Sequence, residues 1–158
     1  MRIIGIDPGM AIVGYSIIDY NNDKMTLIES GSIQTNKDLP DEKRLKEIFD
    51  DLNYLIQKYK PQEASIEKLF FFKNQKTVMP VSQARGVILL SLENFGIKVH
   101  EYTPIEIKQT LTGYGRASKD EVARSVKIIM DGQNIPKLDD TVDSIAIAIC
   151  HVRNFVFV

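Results

Sequence analysis

Arg2-Ile3-Ile4-Gly5-Ile6-Asp7-Pro8-Gly9, residues 2–9, is the stretch on which the reading of this chain turns. Ile3, Ile4 and Ile6 make an apolar strand that runs into a carboxylate at Asp7, and Pro8-Gly9 supplies a tight turn straight after it. A second apolar run, Ala64-Ser65-Ile66, ends the same way at Glu67. Near the end of the chain Asp140 and Asp143 open a helical segment that then turns almost wholly apolar, Ile145 to Cys150. Acids at the rims of buried elements carry a desolvation cost unless something positive meets them. Divalent metal is the simplest answer, and if the two strands are neighbours the pattern predicts a metal-dependent phosphoryl-transfer enzyme.

Each acid also has a plainer explanation. Asp139, Asp140 and Asp143 fall where first-turn acids commonly cap a helix and meet its positive dipole end. Asp7 suits a turn, and Glu67 beside Lys68 could be a surface ion pair. The weight lies in the combination: all four acids stand at element ends. Asp140 and Asp143, three apart, project from one helix face.

Around these acids the chain reads as one α/β domain, 1–158. Strands are expected at 2–8, 12–20 and 25–35, with a hairpin turn at Asn21-Asn22-Asp23. Leu45, Ile48, Phe49, Leu52, Leu55, Ile56 and Tyr59 recur at three and four, predicting a helix over 41–59 stopped by Pro61. A strand at 63–68, a long helix at 76–95 and a strand at 97–102 follow. Thr103-Pro104 opens a short helix. Ser118 with Glu121 makes a capping box for a helix at 118–131, and the last helix covers 139–153. Pro80 inside the long helix signals a kink or a later start. This order predicts a mixed five-stranded sheet with helices on both faces, in which strands one and four can be neighbours.

Composition is that of an ordinary globular protein, 44% apolar and 26% charged. No apolar run approaches the ~18 residues of a membrane span, and the start reads as a strand rather than a signal peptide, so no membrane partner and a cytoplasmic location are expected. The lone Cys150 excludes an intrachain disulfide and a Cys-cluster metal site. Net charge is −1, but it is unevenly spread: residues 68–127 carry 10 Lys/Arg against 5 Asp/Glu, while both flanks are acidic. A basic middle third could form a phosphate-binding stripe beside an acidic pocket, or simply a solvated face.

Six short stretches, in order, resemble one family. They are Gly5-Ile6-Asp7-Pro8-Gly9 with Gly14; Ile66-Glu67 with the Phe cluster and Lys73-Asn74; Gln83-Ala84-Arg85-Gly86-Val87; Ile107-Lys108-Gln109-Thr110; Gly113 with Gly115; and Asp140-Thr141-Val142-Asp143-Ser144-Ile145-Ala146. The chain resembles the RuvC family of Holliday-junction resolvases, nucleases of the ribonuclease-H-like fold. Position by position, the resemblance puts the family's metal-binding carboxylates on Asp7, Glu67, Asp140 and Asp143. It implies two Mg²⁺ ions per active site, with Mn²⁺ able to substitute, and cleavage without a covalent protein nucleophile. His100 and His151 have no motif partners and read as structural.

The resemblance places a base-stacking aromatic on Phe70, within the run Phe70-Phe71-Phe72, and basic residues near the scissile phosphate on Lys108 and Lys119. Lys73, Lys76, Arg85 and Arg116 are expected to add DNA contacts, with Arg124 and Lys127 as further phosphate contacts; a solvated side chain is the plainer alternative for each. Val87, Ile88, Leu89, Leu90 and Leu92 go nearly all round their helix, which fits a surface shared between core and homodimer interface. Implied partners are four-way junction DNA, a second copy of the chain and, in a bacterial host, a branch-migration complex of the RuvA-RuvB type. Thr141-Val142 is bulkier than the family's usual small pair. Competing readings are a ribonuclease-H-fold nuclease acting on RNA or hybrids, an actin-like ATP-binding protein, for which 158 residues supply only one lobe, and a non-catalytic DNA-binding module.

Overall fold

Two positive-φ residues, Asn22 and Asp23, turn β2 (Ile12–Asn21) back onto β3 (Lys24–Gln34), and Asn21 pairs directly with Lys24. That is the two-residue hairpin loop whose twist suits paired strands. The computed structural model describes residues 1–69, 75–131, 133–137 and 139–156, without the side chains of 75, 77 and 156. β1 (Arg2–Asp7) lies antiparallel to β2 and parallel to β4 (Glu63–Glu67), which in turn pairs in parallel with β5 (Lys98–Tyr102). The order β3-β2-β1-β4-β5 makes strands one and four neighbours, as expected.

Alternation along the strands divides the molecule into two cores. Ile4, Ile6, Val13, Ile17, Ala64 and Ile66 face α1 (Asp41–Tyr59) and α2 (Gln75–Asn94), packing on Ile48, Leu52, Ala84, Ile88 and Leu92. Ile3 and Ile18 belong to the opposite core with α3 (Pro104–Thr112), α4 (Lys119–Ile129) and α5 (Asp139–Val156). Helices therefore cover both faces. Arg2 ties the sheet's end to α1: its guanidinium donates to both carboxylate oxygens of Asp19 at 2.6 and 2.7 Å and to the Tyr59 carbonyl at 2.8 Å.

Element ends follow the local signals. Ser118 and Glu121 cap α4 reciprocally, and Thr103 does the same for α3 with Glu106. Differences are small and physical. α2 begins at Gln75 with Pro80 inside it, so proline does not delay the start; being close to the helix N-terminus, it removes few intrahelical bonds. α5 runs to Val156, three residues beyond the expected end, since no glycine or proline stops it. Among the described residues no helix is long and apolar enough to cross a membrane.

Candidate active site

Register brings the first two acids together. Ile6 pairs with Ile66, so the next residues, Asp7 and Glu67, end adjacent parallel strands side by side. Period-two alternation sends both to the α5 face, away from Ile6 and Ile66. Both are only half-buried, as a binding cleft requires.

The other two acids arrive through an unusually close helix. On the α5 face the strands offer Gly5, Gly14, Ser16 and Ser65 instead of branched residues. Ser16 Oγ donates to the Ser144 carbonyl at 3.0 Å and Ser65 Oγ to the Ile147 carbonyl at 3.2 Å. A Cβ on Gly5 would stand 2.3 Å from the Ser144 oxygen, and one on Gly14 only 2.0 Å from the Asp140 carbonyl oxygen. Gly14 pairs with Asp7 across the sheet, so the spot where the helix comes closest is the spot where the strand acid stands. The first turns of α5 are thereby pressed onto the sheet, carrying Asp140 and Asp143 to Asp7.

Electrostatics report that convergence. Burial, followed by the charges of Glu67, Asp143 and Asp140, pushes the Asp7 carboxyl up to about 8, opposed by Lys119. Asp143 is also raised, first by burial, while Lys119 draws it down before Asp139 and Asp140 push it up. Like charges crowded in a half-dry cleft favour neutral forms unless a cation intervenes. An all-oxygen donor set of this kind suits a hard divalent cation such as Mg²⁺.

Lys119 reaches into the same cleft, its Nζ 3.7 Å from Asp143 Oδ2. Glu67, Asp143, Lys108 and Lys119 line one cavity of about 290 Å³, floored by Ile107, Val122, Ala146 and Ile147. On the other side of Asp140, Lys76 and Arg44 border a second groove against Gly9, Met10 and Ala11. Arg116 is exposed on the loop between α3 and α4, and Arg124 and Lys127 are exposed on α4.

Arg85 sits differently from the expectation of a phosphate contact. It is ion-paired with Glu101 on β5, is mostly covered, and its Nε is buried without a hydrogen-bond partner. Reaching a phosphate would require breaking that pair. Phe70 and Lys73 lie outside the described residues.

Two features had no signal in the sequence. Arg44, on α1, donates through Nε to Thr35 Oγ1 at 2.9 Å, which aims it along the second groove. Glu63, His100 and His151 meet beneath the far half of α5. They come from β4, β5 and α5, so no spacing could have announced them, and His100 and His151 do have a partner after all.

Residues 3–151 match the family described as crossover junction endodeoxyribonuclease RuvC. The chain belongs to the RuvC family. Its relatives include the crossover junction endodeoxyribonuclease RuvC of Finegoldia magna, 49% identical over 154 residues, covering 96% of this chain and 93% of that protein. That of Brevibacillus brevis is 46% identical over 158 residues, covering 100% of this chain and 95% of the relative. Among solved structures, Thermus thermophilus RuvC superposes with a TM-score of 0.90 at 27% identity, covering 99% of this chain and 96% of that one. The same protein in complex with Holliday junction substrate gives 0.92, with the same identity and coverage. The fold is thus the ribonuclease-H-like fold of the RuvC nucleases, and the chain is a Holliday-junction resolvase of a metal-dependent family. The hybrid-cleaving, ATP-binding and non-catalytic readings give way to it.

Proposed function

We propose that this RuvC-family chain nicks four-way DNA junctions symmetrically as a homodimer in the cytoplasm, each protomer holding two Mg²⁺ ions on Asp7, Glu67, Asp140 and Asp143. The observation that carries it is the meeting of four carboxylates from β1, β4 and α5 around Asp7, whose carboxyl is pushed to about 8 by burial first and by the neighbouring acids after it. When bound, the ions would supply an activated water and offset charge at the departing 3′ oxygen, with Mn²⁺ able to substitute.

The protein's own residues do the rest. The acids set where hard cations sit, and the apolar floor under the cleft limits bulk water. Lys119 and Lys108, in the same cavity, place positive charge where a scissile phosphate would lie. Lys76, Arg44 and Arg116 extend that charge along the backbone's path on either side. The DNA partner follows from the junction-bound Thermus relative, and a branch-migration complex of the RuvA-RuvB type is the expected further partner. Incubating the protein with a mobile four-way junction, a linear duplex and an RNA–DNA hybrid tests the reading. Paired nicks at symmetric positions, dependent on Mg²⁺ and abolished by EDTA, are expected on the junction alone. Equal cutting of the hybrid would overturn it.

Replacement of Lys119 or Lys108 by alanine should weaken junction binding and lower the slope of log K against log salt by about one counterion. Titration of binding over a salt series reads this directly. An unchanged slope would put that lysine outside the DNA path.

Dimerisation is supported by the outer face of α2. Ile88 and Leu92 enter the core, yet Leu90 is 56% and Met79 71% exposed on the same helix. Gly86 lies on that face with nothing within 4 Å of where a Cβ would stand. A mid-helix glycine costs roughly 1 kcal/mol against alanine, a cost that close approach of a second backbone would offset. Leu90→Glu should give folded monomers that bind junctions but no longer make paired nicks. Sedimentation showing a Leu90→Glu dimer, or an active wild-type monomer, would sink this interface.

A further inference from the structure

The second cluster of the molecule lies at the opposite end of the sheet from the acids. Glu63 opens β4 and Glu67 ends it, so the two are about 13 Å apart along the strand at ~3.3 Å per residue. His100 pairs with Ser65 in the register of β4 and β5, which puts it on the α5 face. His151 comes down from α5, one turn beyond Ile147, and is 1% exposed. The Nε2 atoms of both imidazoles converge on one oxygen, Glu63 Oε2, at 3.1 Å for His100 and 2.7 Å for His151.

Hydrogen bonding alone does not account for this arrangement. Tyr102 Oη lies 2.8 Å from His151 Nδ1, so His151 can be satisfied at both nitrogens, by Tyr102 and Glu63. His100 Nε2 is buried and makes no hydrogen bond, although the carboxylate is within reach. The two rings lie close together, with their centroids 4.3 Å apart.

We propose that Glu63, His100 and His151 form a second metal site, distinct from the catalytic acids, that takes Zn²⁺ or a similar borderline transition ion. Two imidazoles and one carboxylate are a zinc donor set, whereas the all-carboxylate cleft suits Mg²⁺. Donor separations of 2.7 and 3.1 Å are a few tenths of an ångström short of the ~3.3 Å between ligands of one tetrahedral ion at ~2.0–2.1 Å from each, a gap that small side-chain shifts would close. Tyr102 Oη is placed to accept the Nδ1 proton of His151, as an outer partner does for a metal-bound imidazole. Glu63 and His100 are partly exposed, so the cluster has an edge near solvent. The ion would join β4, β5 and the far half of α5, the helix whose other end carries Asp140 and Asp143.

The chain contains only two histidines, so imidazole proton–nitrogen spectra of the untagged protein read both ligands at once. After stripping with EDTA, one equivalent of Zn²⁺ in millimolar Mg²⁺ should shift the Nε2 signals of both rings. It should also raise the melting temperature by about 5 °C at a hundredfold excess over Kd. The Asp7→Asn, Asp143→Asn double variant should bind the same single equivalent. Glu63→Gln and His100→Gln should each lose about a hundredfold in Zn²⁺ affinity. Unmoved imidazole signals in the wild type would overturn the site, as would loss of zinc binding in the double variant. Unchanged affinity in folded Glu63→Gln and His100→Gln proteins would do the same.

Discussion

Replacing Asp7 by asparagine is expected to cost cleavage up to about a thousandfold, in line with loss of a preorganised polar group in an active site, while making the metal-free protein more stable. The two effects share one cause. Asp7 sits between Glu67, Asp143 and Asp140 in a half-buried cleft, and its carboxyl is pushed up to about 8. An unfolded aspartate titrates near the ordinary 3.8. Between those values the native state keeps a proton that the unfolded state has released, so stability falls as pH rises through that window and stays low above it. A neutral asparagine amide carries no such penalty.

From pH 4 towards pH 8 the metal-free wild type should therefore lose stability relative to Asp7→Asn, which lacks this titration. At pH 8 the variant is expected to melt about 5 °C or more above the wild type, since each kcal/mol moves a domain of this size by roughly 2–4 °C. At pH 4 the difference should vanish. Mg²⁺ should rescue the wild type, and more at pH 8 than at pH 5, because metal and proton compete for the same oxygens. Junction binding in EDTA should be unchanged or tighter in the variant, for one charge that repels phosphate has gone. Calorimetry across pH, with and without Mg²⁺, checks the stability changes; a variant that cuts at near wild-type rate would remove Asp7 from the metal site.

Gly14→Ala should also be damaging, although glycine contributes no chemistry. The added methyl would lie 2.0 Å from the Asp140 carbonyl oxygen and 2.6 Å from its carbon. Both are backbone atoms at the start of a helix, so neither can rotate away. The first turn of α5 must lift from β2, and Asp140 and Asp143 lift with it. A displacement of about 1 Å in a reacting constellation can cost a hundredfold in rate, and overpacking of this kind destabilises by roughly 1–3 kcal/mol. We expect a folded protein with cleavage down about a hundredfold and weakened Mg²⁺ binding. Raised Mg²⁺ should restore part of the rate in Gly14→Ala but none in Asp7→Asn. Wild-type kinetics in Gly14→Ala would show that the helix's seat on the strand does not control the site.

Much of this molecule was legible along the chain. Strand limits fell within a residue or two of the alternation of Ile3, Ile4 and Ile6 and of Ala64 and Ile66, and α1 ran over the residues its periodicity marks. The caps at Thr103 and Ser118 formed as written, because capping depends on three or four successive residues. The four acids stood out for the same local reason: each ends or opens an apolar element. Arg85 is where packing adds what the local view lacked. Its charge suggested phosphate, but only the packing of α2 beside β5 shows that Glu101 already holds it.

What the sequence determined by itself was the set of elements, their ends and the carboxylates, all properties of neighbours along the chain. Tertiary structure decided what those elements bring together. Asp7 meets Glu67 through a parallel register between strands separated by a hairpin and a helix. Asp140 and Asp143 join them only because Gly5 and Gly14 let a distant helix lie almost on the backbone of the sheet. Glu63, His100 and His151 were silent in sequence for the same reason, being contributed by three separate elements. Periodicity and capping report a residue's own turn or pleat, whereas a site depends on how closely and in what register different elements pack.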